Sequence, residues 1–401
     1  MKKQPLFLKE RLGIRLPPLK QGTCSLWFHA VSVGEVLSLK DLIQKLKDDH
    51  PDWVIYFSCL TETGMKLAQE KLKGVDVLFY LPLDFKFVTK RFFRWLDPDV
   101  FVLAESEFWP NLLRTAGALE KPVVLINGRI SRRSYKNYRV LRFLIKRVLR
   151  NLDIFFVQTD RDRERLINIG VSPEKISISG NLKCDIVLPD IPEERIISIK
   201  EKLGFSQDKK VIVAGSIRKG EDKKILFAFS QAVKSNPSIL LVLAPRHPER
   251  TFEIENLCRT LGLKAVRKTK AAPSSSWEVL ILDTLGELSS FYALADVAFV
   301  GGSLIPWGGH NLLEPAYYGK PIFFGPHMDN FFDLAERFLE EGTAKEIRDD
   351  DDLLKMFLLK DEKKLKEMGK RARLTLKSLQ GATVKTERML ESLIESLSDL
   401  R

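Results

Sequence analysis

The sequence predicts an α/β protein with two doubly wound domains, and three observations support this fold class. Short hydrophobic strands alternate with amphipathic helical segments along most of the chain, as in parallel sheets covered by helices. The alternation is interrupted at 187–194, where VLPDIPEE contains two prolines and several acidic residues and is typical of a linker. A chain of 401 residues with 44% hydrophobic content is comfortable for two domains and too long for one.

The first series of predicted elements occupies residues 25–158. The strands are expected to be buried and parallel, and the helices between them are amphipathic. The predicted strands are 25–30, 53–59, 100–104, 123–127 and 154–158. The predicted helices are 36–46, 63–72, 85–96 and 135–149.

A second series of strands follows the linker. They are predicted at 211–214, 239–244, 279–282, 297–300 and 322–324. A last helix, at about 362–400, is long enough to pack back across the first domain. Two Rossmann-like halves joined by a linker are the layout of a GT-B glycosyltransferase, whose active site lies in the cleft between the halves. The predicted domains are therefore 1–186 for the acceptor, 195–361 for the nucleotide sugar, and a C-terminal helix at 362–401.

Charge and cysteine content narrow the classes of protein further. The net charge is +12, and residues 1–190 carry +10 of it, so a basic surface is expected in the first half. No run of about 18 apolar residues appears, and the start of the chain lacks a signal peptide. The four scattered cysteines predict reduced, buried thiols in a cytoplasmic protein and no zinc site.

Glu35 is the first candidate catalytic residue. It ends the segment HAVSVGE, where small residues follow a strand and precede a helix. This is the carboxyl edge of a parallel sheet, where such folds bind ligands. An inverting sugar transfer needs one carboxylate to accept the proton of the acceptor hydroxyl. The alternative is that Glu35 only complements the helix dipole.

Three further charged residues lie near ends of the first domain's elements. Glu105 and Glu107 follow the strand at 100–104 and precede a helix that starts at Pro110. They either reach the same cleft or only supply charge at that helix N-terminus. Lys183 lies in GNLK, where a cation is placed to neutralise a phosphate or a sugar carboxylate. The tetrapeptide alone favours an ordinary surface lysine.

The second domain has turns that suit a nucleotide. AGS at 214–216 and GGS at 301–303 each follow a strand, and GGHNLLEP follows at 308–315. A Gly-rich turn that leads into a helix presents N–H groups to a phosphate. Glu314, one turn further in, is placed to accept both hydroxyls of a ribose. Arg246 ends another strand and suits a phosphate or a carboxylate, with His247 beside it as a helix cap.

Together these segments resemble the Kdo transferases of lipopolysaccharide synthesis, which attach 3-deoxy-manno-octulosonic acid (Kdo) to lipid A precursors. Eight segments occur along this chain in the same order as in the family. They are HAVSVGE, ESEFWPN, NGRIS, GNLK, AGS, APRHPER, DTLGEL and GGHNLLEP. They extend from about residue 27 to residue 326, most of the chain. Each segment alone is unspecific, and the ordered set is highly specific.

The resemblance implies roles for particular residues. Glu35 matches the catalytic base of the family, and Glu105 and Lys183 match residues assigned to transition-state stabilisation. The donor nucleotide CMP is held by segments that match Ser216, Arg246, His247, Leu285, Gly286, Glu287, Gly309, His310, Asn311, Leu312, Leu313 and Glu314. The resemblance further implies an inverting enzyme that needs no metal and no cofactor. Its donor is CMP-Kdo, its acceptor is the lipid A precursor lipid IVA, and it works at the cytoplasmic face of the bacterial inner membrane.

Two residues depart from the family pattern. Arg218 stands where the family usually has His after the A-G-S turn, and Cys184 replaces an aromatic residue after G-N-L-K. Many members also carry an N-terminal membrane anchor, which is not expected from this sequence.

Other classes of protein share some of these sequence features. HAVSVGE with ESEFWPN argues against another GT-B transferase or a nucleotide-sugar epimerase. A nucleic-acid-binding module explains the charge but not the nucleotide-type turns, so no nucleic acid partner is expected.

The first domain is expected to dock on an anionic membrane. Residues 131–152 interleave basic and apolar side chains, as an interfacial helix does, and 85–95 is a second candidate. The candidate membrane-contacting residues are Arg139, Arg142 and Lys146. The alternative is that these helices bury an apolar face on the sheet and turn their charges to water.

Overall fold

The computed structural model describes residues 7–205 and 209–398. The chain divides into two compact units. The first contains the residues up to Asp185 and those from Leu379 onward, and the second contains Ile186–Ser378. Each unit is built on its own parallel sheet covered by helices, which confirms the predicted two-domain α/β class.

The sheet of the first unit has seven parallel strands. They are β1 Ser25–Ala30, β2 Val54–Cys59, β3 Val77–Tyr80, β4 Val100–Ala104, β5 Val123–Gly128, β6 Ile154–Val157 and β7 Ile176–Ile178. Their order across the sheet is β3-β2-β1-β4-β5-β6-β7. The helices are α1 Leu8–Arg11, α2 Val33–Asp49, α3 Glu62–Lys71, α4 Lys86–Leu96, α5 Pro110–Ala118, α6 Arg132–Val140, α7 Arg142–Leu149 and α8 Asp160–Ile169.

The strands of the first unit are apolar on both faces because helices cover both. Alternate residues of a strand point to opposite faces, so Leu26 and Phe28 of β1 enter one core while Trp27 enters the other. All five residues of β4 are buried, as expected for a central parallel strand. The chain order reverses between β1 and β4, and in such sheets this switch point is where ligands bind.

The second unit repeats the architecture. Its strands are β8 Lys210–Ile217, β9 Ile239–Pro245, β10 Ala265–Arg267, β11 Val279–Ile281, β12 Val297–Val300, β13 Ile322–Phe324 and β14 Ala344–Glu346. The sheet order is β10-β11-β9-β8-β12-β13-β14, with the switch point between β8 and β12. The helices are α9 Glu193–Lys202, α10 Glu221–Ser235, α11 Thr251–Thr260, α12 Leu288–Leu294, α13 Leu313–Tyr317, α14 Phe332–Glu340, α15 Asp350–Phe357 and α16 Glu362–Ser378.

The predicted C-terminal helix at 362–401 is wrong as a single element. The structure has α16 followed by a separate helix, α17 Ala382–Ser398. Gly381 separates them with a positive φ of 103°, a conformation that favours glycine. α16 packs within the second unit, where Gly369 passes so close to the carbonyl of Gly319 that a side chain would not fit. α17 packs on α2 in the first unit, and Leu390 enters the core there.

A second predicted helix also differs from the structure. The segment 135–149 forms two helices, α6 and α7, that meet at Leu141. The corner between them exposes apolar side chains, Val140 and Leu141 among them. None of the described helices is long and apolar enough to cross a membrane. All four cysteines are buried thiols, as the sequence predicts.

Candidate active site

Glu35 lies at the switch point of the first sheet, in the first turn of α2. Its carboxylate accepts a hydrogen bond from the Val31 N–H at 2.8 Å and one from the Ser32 hydroxyl at 2.7 Å. Ser32 is the N-cap, and its hydroxyl oxygen in turn accepts from the Glu35 N–H at 3.3 Å. The helix cap therefore orients the carboxylate, which is only 6% exposed.

Glu105 and Lys183 form an ion pair in the same unit. The Lys183 ammonium lies 2.6 Å from a carboxylate oxygen of Glu105. Glu105 follows β4 with a positive φ of 58°, and such non-glycine strain often marks functional sites. β4 is the neighbour of β1, so the sheet places the ion pair and Glu35 at one edge. The structure brings the three residues close enough for the charges of Glu105 and Lys183 to act on Glu35, and their catalytic roles stay a prediction.

Asn127 positions the turn that carries Lys183. It ends β5 with a positive φ of 52°, and its side-chain oxygen accepts from the Leu182 N–H at 3.1 Å. The side chain is fully buried. Asn127 lies in the NGRIS segment, but the sequence alone did not indicate a role for it. A buried amide among apolar strand residues was the available signal.

Glu107 adds a third carboxyl group to this cluster. Burial, followed by the charges of Glu35 and Glu105, raises the pKa of Glu107 to about 7. Burial, followed by the Glu107 charge, raises the pKa of the half-buried Tyr138 on α6, whose ring lies 6.1 Å from that of Phe108.

The environment of Glu35 favours proton uptake. Burial is the largest effect and raises the pKa of its carboxyl group above the ordinary value, while the bonds from Val31 and Ser32 lower it. Glu105 raises this pKa further and Lys183 lowers it. A carboxylate with a raised pKa accepts a proton more readily, which suits a general base.

In the second unit, Arg218 is the centre of a cluster that the sequence analysis noted only as a departure. Its Nε lies 3.1 Å from Nε2 of His310, and its Nη1 lies 3.1 Å from Nε2 of His247. Its guanidinium stacks on the ring of Trp307, with 4.2 Å from Cζ to the ring centroid. His247 occupies the predicted N-cap position of a short turn of helix, but its side chain makes no cap hydrogen bond.

The turn at 301–303 does not offer free N–H groups, contrary to the sequence prediction. Glu221 is fully buried at the start of α10 and accepts from the N–H groups of Gly302, Ser303 and Leu304 at 2.7–2.8 Å. It also accepts from the Arg218 N–H at 2.8 Å. An internal carboxylate therefore occupies the place expected for a phosphate. Glu221 fixes the two loops at the switch point to each other.

The remaining predicted CMP residues occupy loops at the carboxyl ends of the strands of the second unit. Ser216, with a positive φ of 57°, ends β8, and Arg246 directly follows β9 and is exposed. Leu285 and Gly286 are exposed between β11 and α12. Glu287 follows them and pairs with Lys268 at 2.9 Å.

Hydrogen bonds and buried side chains within the second unit fix the segment from Gly309 to Glu314. Gly309 donates to the carbonyl of Gly302, and Asn311 caps the Leu313 N–H. Leu312 and Leu313 are buried in the fold. Burial raises the pKa of Glu314, and the Asn311 amide, 3.4 Å from its carboxylate, lowers it. Whether the two sets of site residues share one cleft stays a prediction.

Three acidic residues in the described part of the chain lie close enough together to hold a metal ion, but their ion pairs stabilise the fold. Asp49, Glu387 and Glu391 bring their oxygens within 4.8 Å of one another. Lys45 pairs with Glu387 at 3.2 Å and His50 with Glu391 at 2.7 Å. These pairs join α17 to α2. Metal independence of the site stays a prediction.

Comparison with known proteins defines the class and then the family. A putative UDP-N-acetylglucosamine 2-epimerase from Listeria monocytogenes superposes with a TM-score of 0.63 at 13% identity, over 94% of this chain and 97% of that chain. This likeness, with the two parallel sheets, shows the GT-B fold that glycosyltransferases and such epimerases share. Residues 7–186 match the family model described as 3-deoxy-D-manno-octulosonic-acid transferase (kdotransferase).

The first of two relatives establishes the family. A 3-deoxy-D-manno-octulosonic acid transferase from Chlamydia muridarum is 33% identical over 390 residues, 96% of this chain and 90% of that protein. A bifunctional glycosyltransferase/methyltransferase from Fusobacterium nucleatum is 33% identical over 359 residues, and the chain spans 55% of its length. The chain belongs to the Kdo transferase family and is a glycosyltransferase.

Proposed function

We propose that the protein transfers Kdo from CMP-Kdo to a lipid A precursor such as lipid IVA, with inversion at the anomeric carbon. The observation that carries this proposal is the cluster of Glu35, Glu105 and Lys183 at the switch point of the first sheet. The membership of the chain in the Kdo transferase family supports it.

The chemistry follows from the residues. The acceptor hydroxyl oxygen attacks the anomeric carbon of Kdo, and the bond from that carbon to the CMP phosphate breaks. Glu35 takes the hydroxyl proton, and CMP leaves with the bonding electron pair. Lys183, fixed by Glu105, offsets negative charge at the reacting groups. Attack from the face opposite the leaving group inverts the anomeric configuration.

The direct test is product analysis. The purified protein is incubated with CMP-Kdo and a tetraacylated lipid A precursor, and the product is examined by mass spectrometry and NMR. A lipid heavier by one or more Kdo residues, with inverted anomeric configuration, supports the proposal. No mass increase overturns the proposed substrates, and a retained configuration overturns the mechanism.

In the donor half, Glu314→Ala is expected to weaken CMP binding by about 1–3 kcal/mol, the value for a lost charged hydrogen-bond partner. The expected reason is that the carboxylate accepts the ribose hydroxyls. Calorimetry with CMP measures the effect. Glu340→Ala removes an exposed helical carboxylate of the same unit and is the matched control. Equal CMP affinity in the wild type and in Glu314→Ala would exclude Glu314 from the ribose site.

We further propose that the corner between α6 and α7 docks on an anionic membrane. Val140 is 85% exposed and Phe143 is 81% exposed, and Leu144 is exposed beside them. Arg139 and Arg142 are exposed in the same stretch. Apolar side chains flanked by arginines suit the headgroup region of a bilayer. The ring of Tyr138 on α6 lies 6.1 Å from the ring of Phe108, the residue after Glu107, which supports a position of this corner near the acidic cluster.

The variant that tests this surface does not include Lys146. It is half-buried, and its aliphatic part packs against Gly170, where an added side chain would lie 2.9 Å from Cδ of Lys146. The second predicted segment remains a candidate, because Phe85, Phe87 and Trp95 are exposed.

The double variant Arg139→Glu/Arg142→Glu is therefore expected to bind anionic vesicles at least about thirtyfold more weakly, since each basic residue contributes about 1 kcal/mol. Its affinity for CMP should stay unchanged. Co-sedimentation with anionic and zwitterionic vesicles at two salt concentrations measures the effect. Lys363→Glu/Lys364→Glu, exposed on α16, is the control. Wild-type binding by the α6–α7 variant would assign membrane contact to 85–95 instead.

A further inference from the structure

Arg218 is held by side chains on two other loops. It lies in the turn between β8 and α10, and its own N–H is bound by Glu221. Its side chain reaches His310, His247 and Trp307. The contacts to His310 and Trp307 engage the loop after β12, and the contact to His247 engages the loop after β9. The guanidinium therefore lies where the carboxyl ends of the central strands meet.

The hydrogen bonds fix the state of both histidines. A guanidinium only donates, so Nε2 of His310 and Nε2 of His247 must both accept and must carry no proton. In agreement, burial and then the charges of Arg218 and Arg246 lower the pKa of His310 to about 4. Nδ1 of His247 lies 3.3 Å from the carboxylate of Glu249, which matches a proton on that nitrogen. The two imidazoles therefore orient one permanent cation.

The charge of Glu221 acts on the Arg218 guanidinium, but one donor group of that guanidinium remains unused by the described residues. Nη2 of Arg218 has no hydrogen-bond acceptor among residues 7–205 and 209–398. Arg246 is close enough to lower the pKa of Arg218, after the larger effect of burial. The nearby carboxylate of Glu221 already accepts four backbone N–H groups. Two cations with spare donors at the carboxyl edge of a sheet are prepared for an anion.

We propose that Arg218 is the specificity-determining cation of the donor site and that its spare N–H groups bind the oxyanion of the sugar nucleotide, either its phosphate or its sugar carboxylate. This inference rests on the proposed function. His247 and His310 are positioning residues that orient the guanidinium group of Arg218, and Trp307 holds the plane of this group by stacking on it. Arginine suits this role because its charge is permanent and its donors match planar oxyanions.

The role predicts a selective loss. Arg218→Gln is expected to keep the fold, measured by thermal melting, because the side chain is half-buried at the end of a strand and outside both cores of the second unit. If the anion is the phosphate, CMP binding weakens about tenfold to a hundredfold in calorimetry, while the binding of cytidine is unchanged. If the anion is the sugar carboxylate, CMP binding is unchanged and KM for CMP-Kdo rises by a similar factor.

Control variants separate this role from a general one. Lys219→Gln removes the same charge from the next, exposed residue and should behave as wild type. Arg218→Lys keeps the charge without the fork and should lose less than Arg218→Gln. Unchanged CMP affinity together with an unchanged KM overturns the proposal, and so does an equal loss of cytidine and CMP binding. A wild type that binds no CMP overturns the proposed function itself, and the assignment of Arg218 falls with it.

Discussion

Glu35→Gln is expected to lower kcat by about a hundredfold to ten-thousandfold, the usual effect of removing a general base. The variant should fold normally, because Gln at this position of a helix also completes the cap with Ser32. CMP affinity should be unchanged, since Glu35 belongs to the first unit and the CMP residues to the second. Single-turnover kinetics with CMP-Kdo and the lipid acceptor measure the chemical step directly.

The pH profile gives a second measure of the same residue. A base acts only when it is ionised, so activity should rise with pH through the pKa of Glu35. Because burial raises this pKa, the acid limb should lie above that of an ordinary glutamate. Glu70→Gln changes an exposed carboxylate on α3 and serves as the control. A Glu35→Gln variant with turnover within threefold of the wild type would leave Glu35 as a helix cap only.

The sequence predicts the central elements of both sheets because their signal is local. β4 and β9 are buried throughout and read as continuous apolar runs. The strands that the sequence analysis missed, β3, β7, β10 and β14, are the outermost strands of their sheets. They are three or four residues long and partly exposed, so they carry little apolar signal. The sequence therefore predicts the central strands of each sheet, which define the fold class, but it does not predict the edge strands.

The candidate site divides in a similar way. Glu35 and Glu105 follow strands directly, and this position in a parallel sheet can be inferred from the chain itself. Glu221 cannot be found in this way, because it bonds to residues about eighty positions further along the chain. As a charged residue at a helix start it resembles an ordinary exposed acid. The break before α17 did have a signal, since a glycine that follows a helical run marks a helix end.

Lys183→Gln is expected to lower kcat by about a hundredfold to a thousandfold, comparable to the loss of one preorganised donor in an active site. The substitution leaves Glu105 unpaired beside Glu35 and Glu107, and after the larger effect of burial the Glu105 charge raises the pKa of both these groups. Since Lys183 lowers the pKa of Glu35, its loss raises that pKa further. The acid limb of activity should therefore move to higher pH as kcat falls.

The double variant Glu105→Gln/Lys183→Gln separates the two effects. It removes the repulsion together with the cation, so the acid limb should return toward its wild-type position, because Glu105 no longer raises the pKa of Glu35. If Lys183 stabilises the transition state, kcat remains low in the double variant. Recovery of kcat to within a few fold of the wild type would show instead that Lys183 only balances the charge of Glu105. Wild-type kinetics in the single variant would exclude Lys183 from catalysis altogether.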